Sequence, residues 1–150
     1  MEQELIHYNG RIKVPYKWAA GETASRFFTE LRDHKRLLGK KCDPCNITHF
    51  PPKKVCQRCF NETQEWAEVE PTGKLISFTT VHYHDKNVHI LEPPFSFGLV
   101  KLDKADTAFI HLLGECRAAD LKIGLRVEAV FEYDRKGTIL DINYFRPIKE

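Results

Sequence analysis

The stretch Cys42-Asp-Pro-Cys45-Asn-Ile-Thr-His-Phe-Pro-Pro-Lys-Lys-Val-Cys56-Gln-Arg-Cys59 contains two matched cysteine pairs, separated by ten residues. Two residues between paired thiols let both sulfurs of a turn point at one centre, so the two pairs supply four soft ligands for a tetrahedral site. We expect one structural Zn²⁺, bound by Cys42, Cys45, Cys56 and Cys59. Two disulfides or four unligated thiols are the alternatives, and iron in the same thiolates would make an electron carrier. His49 could replace one thiol, although four cysteines already complete the site.

The residue that follows each cysteine pair is expected to need a left-handed backbone. Asn46 follows the first pair, and Asn tolerates this conformation better than most side chains. Phe60 stands in the matching position after the second pair and fits it poorly.

Because a module this small cannot fold on its own apolar burial, the metal would contribute much of its folding free energy, on the order of 10–16 kcal/mol in comparable peptides.

The composition indicates a soluble globular protein. A chain of 150 residues has room for one domain of ordinary size and a small satellite. The acidic start, Met1-Glu2-Gln3-Glu4-Leu5, lacks the apolar run of a signal peptide. No apolar run approaches the roughly 20 residues that a membrane span needs. Cysteines kept as metal thiolates suit a reducing compartment, so we expect a cytoplasmic location and no membrane contact.

An amphipathic helix is predicted ahead of the cysteines, after an extended arm over residues 9–18. Thr23 or Ser25 could cap this helix, which is expected to continue to about Leu38 and to close at Gly39. Lys40 and Lys41 would then complement the helix dipole.

The helix has an apolar face, and the sequence leaves two alternative roles for it. Phe27, Phe28 and Leu31 recur at spacings of three and four, and Trp18 precedes them. This face either packs on the chain's own ribbon or docks onto a partner enzyme or a second copy of the chain. The candidate docking residues are therefore Trp18, Phe27, Phe28 and Leu31.

Five β-strands are predicted in the second half of the chain, which fit a five-stranded Greek-key barrel. They cover residues 75–83, 95–102, 107–113, 125–133 and 138–145. In the fourth strand Val127, Ala129, Phe131 and Tyr133 share one face. Gly98 inside the second strand predicts a bulge or a tight bend.

Basic residues cluster around the cysteines. Seven lie between positions 35 and 58, against a single acid, Asp43. They either offset the charge of zinc-bound thiolates or form a phosphate-binding face, for nucleic acid or a phosphate-bearing cofactor. The candidates for phosphate contact are Lys40, Lys41, Lys53, Lys54 and Arg58.

The remaining chemistry-bearing residues do not predict catalysis. Cys116 is the fifth cysteine, and a lone Cys in a β segment is usually a small hydrophobe. His82, His84 and His89 gather in and after the first barrel strand, as a polar loop near the barrel mouth or, less favoured, as a second metal site. We expect no enzyme activity from this chain alone, because no nucleophile–base spacing, paired acids or Gly-rich phosphate loop is present.

The order of these motifs resembles the DUF35 family. An amphipathic helix, C-x2-C, Phe-Pro-Pro-Lys, C-x2-C, Trp and Gly-Lys-Leu-Ile-Ser-Phe-Thr follow one another, then a Pro-Pro-Phe loop, Gly-Leu-Val-Lys-Leu-Asp and Ile-Gly-Leu-Arg-Val. The resemblance implies a rubredoxin-like zinc ribbon followed by an oligonucleotide/oligosaccharide-binding (OB-fold) barrel. We expect an N-terminal arm and helix over 1–38, the ribbon over 39–68 and the barrel over 69–150, in a mainly β protein.

The resemblance also implies a function. Family members act beside thiolase-superfamily enzymes, some beside acyl-CoA hydratases, and they bridge subunits or help to bind the acyl-CoA. The function we expect is a non-catalytic accessory protein that docks a thiolase-type enzyme through its ribbon and helix, while the barrel helps to form an acyl-CoA channel. The basic residues named above would then contact CoA phosphates. The alternative is a single-stranded nucleic-acid-binding protein built from the same two modules.

Overall fold

A computed structural model describes residues 6–8, 14–85 and 91–148, which form a mainly β protein with one α-helix in its N-terminal part. The elements in chain order are α1 (Gly21–His34), β1 (Leu37–Cys42), β2 (Ile47–His49), β3 (Glu65–Val69), β4 (Thr72–Val81), β5 (Phe95–Leu102), β6 (Ala108–Leu113), β7 (Arg126–Phe131) and β8 (Ile142–Pro147). Short 3-10 turns precede β7 and β8. Within these residues no helix has the length and apolarity to cross a bilayer.

The helix ends earlier than predicted. Lys35 takes the left-handed conformation, with a φ of 58°, and closes α1 by donating its N–H to Leu31 O. The predicted continuation to Leu38 and the closure at Gly39 are therefore wrong. Thr23 lies inside the helix, which has no side-chain cap at its start.

A three-stranded sheet of order β2-β1-β3 frames the cysteines, with Cys42 at the end of β1 and the other three in the connections between strands, and its strands were not predicted. Gly39 lies within β1, where an added Cβ would come within 2.7 Å of His49 O. This glycine therefore permits close strand packing and is not a helix cap. Lys40 and Lys41 are strand residues as well, so they do not complement the helix dipole. The division at 38/39 and 68/69 stays a prediction.

The second half of the chain forms the predicted closed barrel, of strand order β4-β5-β6-β8-β7. The irregularity in the β4–β5 pairing lies between Leu75 and Ser77 and not at Gly98. A Cβ on Gly98 would stand 2.5 Å from Leu75 Cδ1 and 2.9 Å from a Leu113 methyl. Gly98 therefore makes room for the barrel core. Tyr133 was predicted to share a face with Val127, but β7 ends at Phe131, and Tyr133 is 98% exposed whereas Val127 is buried.

A row of four aromatic rings runs through the core from the helix to the barrel. Phe27 of α1 meets Phe50 edge-on at a centroid distance of 5.7 Å, and Phe50 meets Phe109 of β6 at 5.0 Å. Phe109 in turn meets Phe145 of β8 at 5.7 Å. Since all four rings are buried, helix, ribbon and barrel share a single hydrophobic core.

A histidine is buried in this core, and we expect it to make stability depend on pH. The ring of His111 packs between Phe109 and Phe145, and burial holds its pKa below the ordinary value of 6.5. As pH falls below about 6.5, the unfolded chain takes up a proton that the folded chain excludes. We expect the free energy of unfolding to fall by up to about 1.4 kcal/mol per pH unit, until the folded histidine titrates as well.

The His111→Phe variant isolates this contribution, because every other titratable group, the cysteines included, is the same in both chains. Urea unfolding at pH 7.5 and at pH 5.5 should show a smaller acid-induced loss of stability in the variant than in the wild type. An equal loss in both chains would mean that His111 does not carry the pH dependence.

Candidate functional site

The four cysteines of the two pairs converge. Their sulfurs all lie within 4.8 Å of one another, and Cys42 Sγ is 3.4 Å from Cys59 Sγ. The edges of a ZnS₄ tetrahedron with bonds of about 2.3 Å measure about 3.8 Å, so the cluster has the right size. Within the described part of the chain no other group of three or more His, Cys, Asp or Glu residues is arranged to hold a metal. The four sulfurs can therefore bind one metal ion.

Two left-handed residues shape the turns that present these sulfurs. Asn46 has a φ of 50° and Phe60 a φ of 60°, so the expected conformation is present after both pairs, even at the phenylalanine. The Asn46 N–H donates to Asp43 O, and the Phe60 N–H donates to Cys56 O at 3.0 Å. Each turn thus brings the second cysteine of its pair back toward the first.

The electrostatics single out Cys56 among the four thiols. The backbone N–H groups of Cys59 and Arg58 point at its sulfur and lower the pKa of Cys56 to about 5. The pKa of Cys42 is raised to about 12, chiefly by burial. The lowered pKa favours the thiolate form of Cys56, which is the form that binds a metal ion, and a cation bound between the sulfurs would favour the thiolate form of all four.

His49 lies against the cluster and is not one of its members. His49 Nε2 is 3.4 Å from Cys56 Sγ, which is hydrogen-bond distance for sulfur. Nδ1 of the same buried ring has no partner within the described residues. A proton on Nε2 would donate to the Cys56 thiolate, and this contact adds to those that lower the pKa of Cys56.

Two of the five predicted phosphate-binding residues line a common cleft. Lys40 and Lys54 line a cleft of about 490 Å³ beside the start of α1, together with Glu22 and Glu62. Lys54 pairs with Glu62 at 3.6 Å, and Lys40 lies 5.3 Å from the centre of the Trp66 ring. The predicted Lys41, Lys53 and Arg58 are not among the residues that line this cleft. The acids in the cleft weaken its attraction for a phosphate.

Two of the four predicted docking residues are buried and cannot contact a partner. Phe27 and Leu31 are buried in the chain's own core, so the prediction that they contact a partner is wrong. Phe28 packs against the same core and is only partly exposed. Trp18 is 74% exposed and stays a candidate. The helix face thus serves the fold, because it has the ring of Phe50 to pack on.

The outer face of β5 and β6 carries apolar side chains that were not predicted as a surface. Phe97 pairs with Leu112, and Leu99 with Ile110, in the β5–β6 register. Their chain neighbours Gly98 and His111 are buried inside the barrel, so these four side chains point outward. Ile110 is 70% exposed and the other three are partly exposed. We name Phe97, Leu99, Ile110 and Leu112 the barrel face.

A second cleft, also of about 490 Å³, opens next to the barrel face and includes Leu112 itself. Its other lining residues are Thr80, Leu91, Glu92, Pro94, Phe95, Ser96, Leu113, Cys116, Arg117 and Ala118. Cys116 is half-buried here, and burial raises its pKa, as for a thiol that stays protonated. The nearest feature predicted from the sequence was the polar loop near the barrel mouth, since the segment after β4 contributes Leu91, Glu92 and Pro94 to the cleft.

The three histidines near the barrel mouth do not form a metal site as far as the structure describes them. His84 Nδ1 lies 3.6 Å from Glu92 Oε2, and His82 is exposed. His89 lies outside the described residues. The second metal site that was considered for them is not found among the described side chains.

Comparisons with known proteins agree with this architecture. Residues 66–132 match the family described as ChsH2, C-terminal OB-fold domain. A DUF35 domain-containing scaffold protein of Methanocaldococcus jannaschii is 25% identical over 83% of this chain and 90% of its own length. A protein of the same description from Pyrococcus furiosus is 29% identical over 83% of this chain and 92% of its own length.

Two solved structures have the same fold. The Ltp2-ChsH2(DUF35) aldolase superposes with a TM-score of 0.62 at 22% identity, covering 87% of this chain and 98% of that one. A protein of unknown function from the DUF35 family of Sulfolobus solfataricus superposes with a TM-score of 0.60 at 18% identity, covering 85% of this chain and 84% of its own.

Proposed function

We propose, from the premise that this chain is a DUF35-family protein, that it is a non-catalytic scaffold that docks a thiolase-superfamily enzyme and helps that enzyme to bind an acyl-CoA. The two archaeal relatives are named scaffold proteins, and one structural neighbour is a complex whose name includes an aldolase. Both observations support an accessory role beside an enzyme.

The barrel face is the observation that carries the docking proposal. A barrel strand normally turns large apolar residues inward and polar residues outward. At the start of β5 this order is reversed, since Ser96 and Gly98 point inward while Phe97 and Leu99 point outward. Opposite them Ile110 is 70% exposed. An apolar surface of this kind is typical of a site that another protein covers.

The neighbouring cleft supports the acyl-CoA part of the proposal. It lies beside the barrel face, so an enzyme docked there would stand over its mouth. Leu112, Leu113 and Phe95 give the cleft apolar wall for an acyl or pantetheine chain. Arg117 at the same cleft supplies a positive charge for phosphate.

Zinc is the metal that we propose for the cysteine cluster. Four thiolates suit its preference for tetrahedral sulfur coordination, and a closed set of four protein ligands leaves no position for a substrate. The metal would hold the ribbon's fold and take no part in chemistry.

The docking proposal is tested by placing a charge on the barrel face. Wild-type chain is titrated against each purified thiolase-superfamily enzyme of the source genome, and the Ile110→Lys variant against whichever enzyme binds. We expect the Kd to rise by about 30-fold or more, because the enzyme would have to bury an unpaired ammonium. Acetyl-CoA and a longer acyl-CoA are then titrated against the complex and against each protein alone.

Ile123→Lys is the matched control, because Ile123 is 72% exposed and lies in the loop before β7, outside the four residues of the barrel face. This variant should bind the enzyme like the wild type. Equal affinity of the Ile110→Lys and wild-type chains for the enzyme would show that the barrel face is not part of the interface. The proposed function itself fails if the wild type binds none of these enzymes, and its acyl-CoA part fails if the complex binds acyl-CoA no more tightly than the enzyme alone.

A further inference from the structure

Phe60 is an exposed aromatic residue held in a backbone conformation that suits it badly. Its φ of 60° lies in the left-handed region, and its side chain is 79% exposed. A residue with a Cβ pays a steric cost there, which Gly avoids and Asn reduces. Asn46 holds the matching position of the first turn at a φ of 50°. The turn would therefore form at lower cost without a phenyl ring, which suggests that the ring serves something other than the fold.

Backbone hydrogen bonds hold the turn that presents this ring. The Phe60 N–H donates to Cys56 O at 3.0 Å, and the Cys56 N–H donates to Asn61 O at 2.9 Å. Cys56 is fully buried, so the turn is anchored in the ribbon. An aromatic side chain on a rigid support loses little conformational freedom when it binds, and such side chains dominate the binding energy of protein interfaces.

The charges around the ring indicate the chemistry of its partner. Lys54 pairs with Glu62 at 3.6 Å, whereas Arg58 and Lys53 form no ion pair within the described residues. Val55 adds a second exposed apolar side chain at the base of the turn. The complementary surface is therefore an apolar pocket with carboxylates on its rim.

We propose that the ribbon tip, defined as Val55, Arg58 and Phe60, is a second contact surface for the enzyme that the barrel face docks. The phenyl ring of Phe60 enters an apolar pocket on the enzyme, and the guanidinium of Arg58 lies near carboxylates at its rim. This inference rests on the proposed function and adds to it the residues that hold the enzyme at the ribbon end.

The Phe60→Gly variant separates a contact residue from a structural one, because its two expected effects have opposite signs. Removing the ring relieves the strained backbone, so the midpoint of thermal unfolding should stay unchanged or rise by roughly 1–4 °C. The Kd for the enzyme should rise by about 10-fold or more. Asn46→Gly makes the same backbone change without removing a ring, and it should leave the Kd unchanged.

The charge of the ribbon tip is tested with Arg58→Glu. This variant should weaken binding by about 10-fold at low salt and less at high salt, since the rim contacts are exposed. An unchanged Kd for Arg58→Glu would contradict the proposal that carboxylates lie at the rim of the enzyme's pocket.

The remaining outcomes distinguish this inference from the proposed function. If Ile110→Lys weakens binding and Phe60→Gly does not, the ribbon tip is not a contact and the scaffold role stands. A Phe60→Gly chain that melts well below the wild type would show that the ring is structural. If the wild type forms no complex with the enzyme, both proposals fall.

Discussion

Cys56→Ser is expected to abolish stoichiometric metal binding and to unfold the ribbon around it. Cys56 is fully buried in the cluster and has a lowered pKa, and its sulfur receives backbone N–H groups as well as the contact from His49. Structural zinc contributes about 10–16 kcal/mol to the folding of comparable peptides, which is as large as the whole stability of a typical domain. The ribbon sheet β2-β1-β3 should therefore lose its fixed structure when one ligand is lost.

Metal analysis and amide spectra measure this prediction. Wild-type protein purified under reducing conditions should contain one zinc per chain, while the variant contains far less. The amide signals of residues 37–69 should collapse toward random-coil positions. Cys116→Ser is the matched control, because this half-buried thiol lies in the cleft by the barrel and outside the cluster. A Cys56→Ser chain that keeps both its metal and the dispersion of its ribbon signals would contradict the structural role of the site.

Phe50→Ala is expected to lower the free energy of unfolding by about 3–5 kcal/mol, as for other buried aromatic residues cut to alanine. Phe50 is 1% exposed and its ring touches both Phe27 of the helix and Phe109 of the barrel. Its removal leaves a cavity where helix, ribbon and barrel meet. For a chain of this length the midpoint of thermal unfolding should fall by roughly 6–20 °C.

Tyr133→Ala is the control for Phe50→Ala, because it removes an aromatic ring that is almost entirely exposed. It should change stability by no more than about 0.5 kcal/mol. Thermal melts and urea titrations of both variants, with metal content confirmed, give the comparison. A loss below about 1 kcal/mol for Phe50→Ala would mean that the three parts do not depend on a shared core.

The features best predicted from the sequence were those fixed by spacing. The C-x2-C pairs predicted the cluster because two intervening residues permit little other geometry. Alternation and turn residues placed β5 at its observed bounds. Strands β1 and β3 were missed because the ribbon sheet is held by its own pairing and by the cysteine turns, and its sequence does not alternate clearly.

The errors in the prediction arise where one residue type serves two physical roles. Gly39 was taken for a helix cap, but here a small residue was needed for close strand packing. Lys35, which does end the helix, has no feature that marks it for a left-handed backbone. Alternation in β5 was visible, yet it does not tell which of two apolar rows faces the core. The barrel face could therefore not be recognised before the register was known.

The junction at Phe50 has a consequence for any assembly built on this protein. The Phe50 N–H donates to Thr107 Oγ1, and the same hydroxyl donates to Phe50 O, each at 2.8 Å. Thr107 directly precedes β6, the strand that bears Ile110, while Phe50 lies in the segment that leads to the second cysteine pair. The two hydrogen bonds therefore tie the ribbon to the barrel at the start of β6. A partner that contacts both the ribbon and the barrel would have to match their relative placement. Residues inserted beside Phe50 would shift one surface relative to the other, so the partner could no longer contact both even if every contact residue were kept.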